Sequence, residues 1–204
     1  MQTSYVIGVD EAGRGALAGP VCVGAVLFPE DLNLRQCFSL VTKRGEPRLR
    51  DSKQLSAQQR DILFDYITQH GRLKHAAGMV AAEVIDAMGI VNAAREATAI
   101  ALRELGMSPE RAVVLLDAGL TAPHVWKQES FVRGDENIPA IAFASIVAKV
   151  TRDRHMEKMA EIYDKYGFEA HKGYGTPVHM EAVRKYGPNA IHRATFLKGL
   201  QHVA

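Results

Sequence analysis

Apolar residues in this chain fall into short uninterrupted runs near the N-terminus and recur at helical spacing further on. Runs of roughly four to eight apolar or β-branched residues indicate buried strands, whereas apolar residues three and four positions apart indicate one face of a helix. The runs predict strands at Tyr5–Asp10, Val21–Phe28, Leu73–Val80, Ala112–Leu116 and Ser130–Arg133. Strands therefore dominate the first part of the chain and helices the last.

The segments between and within these strands indicate their places in a sheet. A glycine-dense turn with Gly13, Gly15 and Gly19 separates the first two strands, which predicts an antiparallel pair joined by a tight connection. Ala112–Leu116 is continuously apolar, as expected of a central strand covered on both faces. Ser130–Arg133 is short, which favours an edge of the sheet.

Helical spacing accounts for most of the remaining chain. Helices are predicted over Ser56–Thr68, Ala82–Leu105 with a break near Gly89, Pro139–Tyr163 and Thr176–Tyr186. A serine cap at Ser52 or Ser56 would begin the first helix, and Gly106 would end the second. This succession predicts an α/β fold, with a helical subdomain at the C-terminus.

The composition is that of one ordinary soluble domain. The 204 residues are 47% hydrophobic and 24% charged, which is enough to form a core without disulfides. Cys22 and Cys37 cannot form a disulfide framework, so we expect a reducing cytoplasmic location. Met1–Ser4 lacks the basic start of a signal peptide, and the longest apolar run is too short to cross a bilayer. We expect a monomer, and no motif for a protein partner is evident.

Positive charge is concentrated toward the C-terminus. The formal net charge is only +2, but residues 141–204 carry 10 Lys and Arg against 6 Asp and Glu. A further basic run spans residues 43–53, where Gly45 and Pro47 indicate a loop. Such a run is often only a solvated loop, so the charge alone favours a nucleic-acid partner weakly.

Four acidic residues follow or adjoin apolar strand segments: Asp10, Glu11, Asp117 and Asp135. Carboxylates that converge at strand ends are the oxygen ligands that Mg²⁺ and Mn²⁺ prefer. Any one of these acids alone is more often an ordinary loop residue. Asp10 and Glu11 would share a site only if the strand ended there and the chain turned, because successive strand residues point to opposite faces.

Five separated motifs, taken in order, resemble ribonuclease HII over Val6 to Phe196. They are Asp10-Glu11-Ala12-Gly13-Arg14-Gly15, Asp51-Ser52-Lys53, Leu115-Leu116-Asp117, Gly134-Asp135 with Ala144-Ser145-Ile146-Val147-Ala148-Lys149-Val150-Thr151-Arg152-Asp153, and Lys172-Gly173-Tyr174-Gly175-Thr176. Several blocks in one order are far more specific than a single motif. The sequence departs from the pattern at Arg133 and Phe143, where we expect a lysine and a small residue.

The resemblance implies a ribonuclease H-like fold, with a central mixed sheet flanked by helices. It implies one catalytic domain over residues 1–204, whose helical subdomain spans about 165–204. The implied activity is endonucleolytic cleavage of the RNA strand of RNA/DNA hybrids, and cleavage at ribonucleotides embedded in duplex DNA. The products would carry 5′-phosphate and 3′-hydroxyl ends.

The resemblance also implies a catalytic site for two Mn²⁺ or Mg²⁺ ions, formed by Asp10, Glu11, Asp117 and Asp135. Two such ions can clamp a scissile phosphate during in-line hydrolysis. We expect Asp10 to bridge both ions, and Glu11 and Asp117 each to favour one. Asp135 would complete the second position.

Other residues in the motifs are expected to contact the nucleic acid. Glycine permits close approach of the backbone, so Gly13, Arg14 and Gly15 are expected to read a ribose 2′-hydroxyl. Family resemblance assigns Tyr174 to the sugar at the junction between ribose and deoxyribose.

Basic residues of the motifs are candidates for phosphate contacts. They are Arg14, Lys53 and Lys172. Lys149 and Arg152 are explained about as well by a solvated helix face or a salt bridge.

Three histidines near the C-terminus carry no metal-binding pattern. His171, His179 and His192 lack metal-ligand spacing on one helix face, so we expect them at the surface or in a groove.

Three other functions are weaker interpretations. Ribonuclease HIII carries an extra N-terminal domain, for which a catalytic strand beginning at Tyr5 leaves no room. A catalytically silent hybrid-binding module would lack a carboxylate, and all four are present. A structural cation-binding protein would concentrate its acids in one loop, as in an EF-hand, whereas these acids are dispersed.

Overall fold

A computed structural model describes residues 5–33 and 55–198 of the chain. Within these residues one five-stranded sheet has the strand order β3-β2-β1-β4-β5. The strands are β1 (Tyr5–Ala12), β2 (Val21–Pro29), β3 (Lys74–Val80), β4 (Ala112–Asp117) and β5 (Lys127–Phe131). β1 pairs antiparallel with β2 and parallel with β4, so the predicted mixed sheet is confirmed.

The longer helices of the described residues follow the predicted pattern closely, whereas three helices of four residues were not predicted. The helices are α1 (Ala57–Gln69), α2 (Ala82–Met88), α3 (Ile90–Leu105), α4 (Gly134–Asn137), α5 (Pro139–Ile162), α6 (Phe168–His171), α7 (Pro177–Tyr186) and α8 (Ala194–Leu197). Ser56 begins α1 in a reciprocal capping box with Gln59, which satisfies two backbone N–H groups at the helix start. Gly106 ends α3 in the left-handed conformation, as predicted.

Helices cover both faces of the sheet. α3 packs on one face, where its alanines Ala93, Ala97 and Ala101 join the buried cluster of β1, β2 and β4. α1 and α5 pack on the other face. Every residue of β2 is buried, as expected of a strand covered on both sides.

Close approach of helices to the sheet depends on glycine in three strands. A Cβ at Gly8 would lie 2.0 Å from the carbonyl oxygen of Ala140, and one at Gly24 would lie 2.3 Å from that of Ala144. On the opposite face, a Cβ at Gly78 would lie 2.1 Å from the carbonyl oxygen of Ala97. α5 and α3 therefore contact the strands backbone to backbone, and this fixes the position of α5 over β1.

The C-terminal helices attach to the main body through a third buried cluster. Phe168 of α6 and Ala182 of α7 pack with Met156 of α5 and with Ala18 in the β1–β2 connection. An isolated bridge also joins Ala18 to His192. The assignment of about 165–204 as a helical subdomain stays a prediction.

The strands β5 and β4 differ from the sequence prediction in position or in burial. β5 lies at Lys127–Phe131 rather than Ser130–Arg133, and Val132 beyond its end is 81% exposed. In β4 buried residues alternate with partly exposed ones, because the face opposite α3 is incompletely covered. None of the described helices is both long and apolar enough to span a membrane.

We expect Gly8→Ala to destabilise the protein by at least about 2 kcal/mol, or roughly 4–8 °C in Tm, because the added Cβ would collide with the α5 backbone. Gly71→Ala is the matched control, since open space surrounds that position, and its effect should stay below about 1 kcal/mol. Thermal unfolding of both variants measures this. Equal Tm values for the two variants would contradict the close helix–sheet contact.

Candidate active site

Three carboxylates meet at the end of the parallel strand pair. β1 and β4 pair up to Val9 and Leu116, so Asp10 and Asp117 come next on neighbouring strands. One carboxylate oxygen from each of Asp10, Glu11 and Asp117 lies within 4.8 Å of the other two. We call these three residues the carboxylate cluster.

β1 does not end at Asp10, so the expectation that the chain turns there is wrong. The strand continues to Ala12, paired with β2 as far as Cys22. Pairing with β4 stops at Val9, which leaves the side of β1 that faces β4 open beyond that point. An oxygen of Asp10 also accepts a hydrogen bond of 2.7 Å from the Glu11 backbone N–H. The two carboxylates therefore share a site although their residues are consecutive in a strand.

The electrostatics of the carboxylate cluster are unfavourable without a counter-charge. The Asp10 side chain is almost fully buried, and this burial raises its pKa well above the ordinary value of 3.8. The negative charges of Glu11 and Asp117 raise the pKa further, while a hydrogen bond from Ser145 of α5 opposes the shift. Clustered carboxylates of this kind are stabilised by a cation that neutralises them together.

The donor set of the carboxylate cluster fits a hard divalent cation. It offers carboxylate oxygens only, and these are ligands for Mg²⁺ or Mn²⁺ rather than for thiolate-preferring or imidazole-preferring metals. The predicted metal ligands Asp10, Glu11 and Asp117 are thus brought together.

Asp135 is not grouped with the three members of the carboxylate cluster. It is buried in the short helix α4. The preceding residue, Gly134, donates its backbone N–H to Asp117 at 2.8 Å and so orients that carboxylate. Asp135 as a fourth ligand stays a prediction.

The Gly-Arg-Gly turn borders the carboxylate cluster. Gly13 has a φ of 84°, and a Cβ there would lie 1.9 Å from Nε of Arg152, so both conformation and space require glycine. Gly15, in contrast, has open space beside it. The Arg14 guanidinium lies 3.2 Å from the Glu11 carboxylate and 3.4 Å from the carbonyl oxygen of Gly119.

Tyr174 is tied to the same turn from the other side. Its hydroxyl oxygen accepts a hydrogen bond of 3.2 Å from the Gly13 backbone N–H. The Arg152 guanidinium lies 5.3 Å from the centre of the ring, and the Lys149 ammonium lies 5.8 Å from it. The structure thus brings together Tyr174, the Gly-Arg-Gly turn and the carboxylate cluster, and the substrate contacts expected of the turn and the tyrosine stay predictions.

Glu11, the Gly-Arg-Gly turn and Tyr174 line a cavity of about 510 Å³. Its lining residues are Glu11, Ala12, Gly13, Arg14, Gly15, Arg60, Ser145, Lys149 and Tyr174. Three of them are basic and one is acidic, which favours an anionic ligand beside the metal ligands. We missed Arg60 because nothing in the pattern of α1 distinguishes it, whereas Ser145 lay inside a motif without an assigned role.

The lysines of the sequence motifs have different surroundings. Lys149 pairs with Asp153 at 2.8 Å, one of the two explanations we considered for it. Lys172 lies 3.1 Å from the Glu157 carboxylate, and its ammonium also donates to the carbonyl oxygen of Glu169. Its phosphate contact stays a prediction, and Lys53 lies outside the described residues.

The expectation that the three histidines lie at the surface or in a groove is wrong for His179 and His192, which are buried. His179 bonds to His192 through their Nε2 atoms at 3.0 Å, and its Nδ1 lies 3.0 Å from the carbonyl oxygen of Tyr174. That carbonyl can only accept, so His179 donates to it from Nδ1. The two facing Nε2 atoms can form a hydrogen bond only if one of them carries no proton, so at least one of the two rings is neutral.

Burial is the main reason that His192 resists protonation. Burial, together with the adjacent His179, lowers the pKa of His192 from 6.5 to about 4. The pKa of His179 is also lowered, again chiefly by burial. The packing that supports the Tyr174 backbone thus depends on uncharged imidazoles.

Comparison with known proteins gives consistent matches. The family model described as Ribonuclease HII matches residues 7–198. A Ribonuclease HII from Bacillus cytotoxicus is 42% identical over 95% of this chain and 68% of its own length. One from a Geobacillus species, strain WCH70, is 43% identical over 94% of this chain and 64% of its own length. The chain thus spans about two thirds of the length of these relatives.

A solved structure shows the same fold. Ribonuclease H2 from Pyrococcus horikoshii is 28% identical, with a TM-score of 0.68 over 94% of this chain and 93% of that one. The predicted ribonuclease H-like fold is confirmed.

We expect Asp10→Asn to raise the free energy of unfolding by about 1 kcal/mol in metal-free buffer, because it removes one charge from three crowded carboxylates. The amide keeps an oxygen that can accept the Glu11 N–H. Thermal unfolding in EDTA measures the effect, with exposed Asp164→Asn as the matched control. A lower Tm for Asp10→Asn would argue against repulsion in the cluster.

We also expect stability to fall as the pH drops from about 6.5 toward 4. Over that interval the unfolded chain takes up a proton at His192 that the folded protein does not, since the pKa of His192 is about 4 in the fold. Tm measured between pH 7.5 and 5 tests this. His192→Gln should flatten the dependence, whereas His124→Gln, at an exposed position, should leave it unchanged. An identical slope of Tm against pH for both variants would refute the assignment of this pH dependence to His192.

Proposed function

This chain belongs to the ribonuclease HII family and is therefore a ribonuclease H, and on that premise we propose that it cuts the RNA strand of RNA/DNA hybrids. We propose further that it cuts duplex DNA at embedded ribonucleotides, leaving 5′-phosphate and 3′-hydroxyl ends. The observation that carries the proposal is that Glu11 of the carboxylate cluster lines the same cavity as the Gly-Arg-Gly turn and Tyr174.

The carboxylate cluster would hold divalent metal, either Mg²⁺ or Mn²⁺. Asp10 would bridge two ions, with Glu11 and Asp117 on one ion each and Asp135 completing the second position. Two ions bound there would activate the attacking water and stabilise the leaving 3′-oxygen. The crowding of Asp10, Glu11 and Asp117 and the raised pKa of Asp10 support this assignment.

The basic side chains of the cavity would position the phosphate backbone. Arg14, Arg60 and Lys149 line the cavity together with Glu11 of the carboxylate cluster, and phosphate contacts fix a duplex without reading its sequence. We extend this role to Lys53 and Lys172, which the family motifs include. Binding would therefore be independent of sequence.

Selection for ribose would come from the turn and the tyrosine. The backbone at Gly13, Arg14 and Gly15 can approach a 2′-hydroxyl closely, because two of these residues have no side chain. The Tyr174 ring would pack on the sugar that follows the cut. The hydrogen bond from the Gly13 N–H to the Tyr174 hydroxyl links the two elements that contact adjoining nucleotides.

A cleavage assay tests the proposal directly. The substrates are a uniform RNA/DNA hybrid, a DNA duplex with one ribonucleotide, and an all-DNA duplex as control. We expect cleavage of the first two with Mg²⁺ or Mn²⁺, none in EDTA, and none by Asp10→Asn in a folded state. Full activity of folded Asp10→Asn, or cutting of the all-DNA duplex at a similar rate, would contradict the proposal.

Tyr174 variants test junction recognition. Tyr174→Ala removes the ring that aligns the sugar, and we expect a loss on the order of 10²-fold in rate on the duplex with one ribonucleotide. Tyr174→Phe keeps the ring and loses only the hydroxyl that accepts the Gly13 N–H, so its loss should be smaller. Wild-type rates for Tyr174→Ala on both ribonucleotide-containing substrates would show that this residue only anchors the loop.

A further inference from the structure

Two fully buried arginines lie directly beneath the Gly-Arg-Gly turn. Arg152 and Arg193 have no exposed surface, and neither forms an ion pair within the described ranges 5–33 and 55–198. A buried guanidinium is unfavourable unless its N–H groups are satisfied by hydrogen-bond acceptors. Here the acceptors are backbone carbonyl groups, and their positions in the chain indicate a role.

Each guanidinium donates to three carbonyl oxygens. Arg193 donates to Gly13 at 2.7 Å, to Arg14 at 2.8 Å and to Gly19 at 3.0 Å. Arg152 donates to the carbonyl oxygens of Pro20, Lys172 and Ala18 at 2.9, 2.9 and 3.0 Å. The two side chains thus fix the β1–β2 connection and the start of the loop that carries Tyr174.

The contacts of Arg193 determine which way the turn presents its N–H groups. In a trans peptide the carbonyl of one residue and the N–H of the next point in opposite directions. With the carbonyls of Gly13 and Arg14 directed at buried Arg193, the N–H groups of Arg14 and Gly15 point away from it. Both residues line the cavity, and neither N–H donates to an acceptor in the described part of the chain.

We propose that Arg193 is a positioning residue for cleavage. Its guanidinium holds the two peptide groups between Gly13 and Gly15 so that the N–H groups of Arg14 and Gly15 face the ribose of the substrate. Three donors in a planar fork suit this role, and the single ammonium of lysine cannot reproduce it. The inference rests on the proposed function, because it assigns how the turn reads the ribose.

The first test is Arg193→Lys, assayed on the duplex with one ribonucleotide. We expect a loss of about 10²-fold in kcat/KM per folded molecule, with the folded fraction measured by circular dichroism at the assay temperature. Mn²⁺ binding, measured by calorimetry, should stay within about twofold of wild type. A purely structural role would lower Tm and leave the rate per folded molecule unchanged. The matched control is Arg72→Lys, at a half-exposed residue paired with Asp31, which should cut like wild type.

Chemical rescue separates positioning from folding. Arg193→Ala leaves space for a small cation, so methylguanidinium at tens of millimolar should restore cleavage by at least about tenfold, whereas methylammonium at equal ionic strength should not. Equal rescue by both cations would overturn the inference.

A third test follows the backbone N–H resonances of the wild-type protein. Adding an RNA/DNA hybrid in metal-free buffer should shift the backbone N–H resonances of Arg14 and Gly15, and unchanged resonances in the bound complex would overturn the inference.

The outcomes distinguish this inference from the proposed function. If wild type cuts the substrate and folded Arg193→Lys cuts with wild-type kcat and KM, the positioning role is wrong and the proposed function stands. If wild type with metal does not cut any ribonucleotide-containing substrate, the proposed function fails, and the inference fails with it.

Discussion

The parallel register of β1 with β4 is the constraint on which the site depends. The last pair, Val9 with Leu116, leaves Asp10 and Asp117 as the next residues on neighbouring strands, at one edge of the sheet. A shift of one residue in this register would turn the acidic side chains to the opposite face and bury the wrong set of residues. The carboxylate cluster is therefore a consequence of strand pairing rather than of local sequence alone.

The surrounding structure holds this cluster against its own repulsion. α5 contacts β1 and β2 through Gly8 and Gly24, and this close packing brings Ser145 to Asp10. On the other side, backbone carbonyls compensate the buried charges of Arg152 and Arg193 and fix the turn. Rigid supporting contacts of this kind keep a metal site and a substrate site in a productive geometry.

Much of the fold was predictable because the relevant signals are local. The capping box at Ser56, the glycine at position 106 and the apolar run of β2 each depend only on residues that are close in sequence. The acidic residues at the ends of β1 and β4 were equally visible, since each follows an apolar run.

The remaining features depend on contacts between distant segments. Arg152 lies on a helix whose spacing allows a solvated face, yet two of its three acceptors come from residues more than a hundred positions earlier. His179 and His192 are buried and bond to each other across 13 positions, which no single-helix pattern reveals. The end of β1 was predicted too early for a similar reason: pairing with β2 extends the strand beyond Asp10.

The central claim is that Asp10, Glu11 and Asp117 together bind divalent metal, and anomalous diffraction from crystals grown with MnCl₂ tests it most directly. The account predicts a manganese peak within about 2.5 Å of carboxylate oxygens from all three residues, and no such peak in crystals of Asp10→Asn. Manganese bound elsewhere on the protein, with none at this cluster, would contradict it.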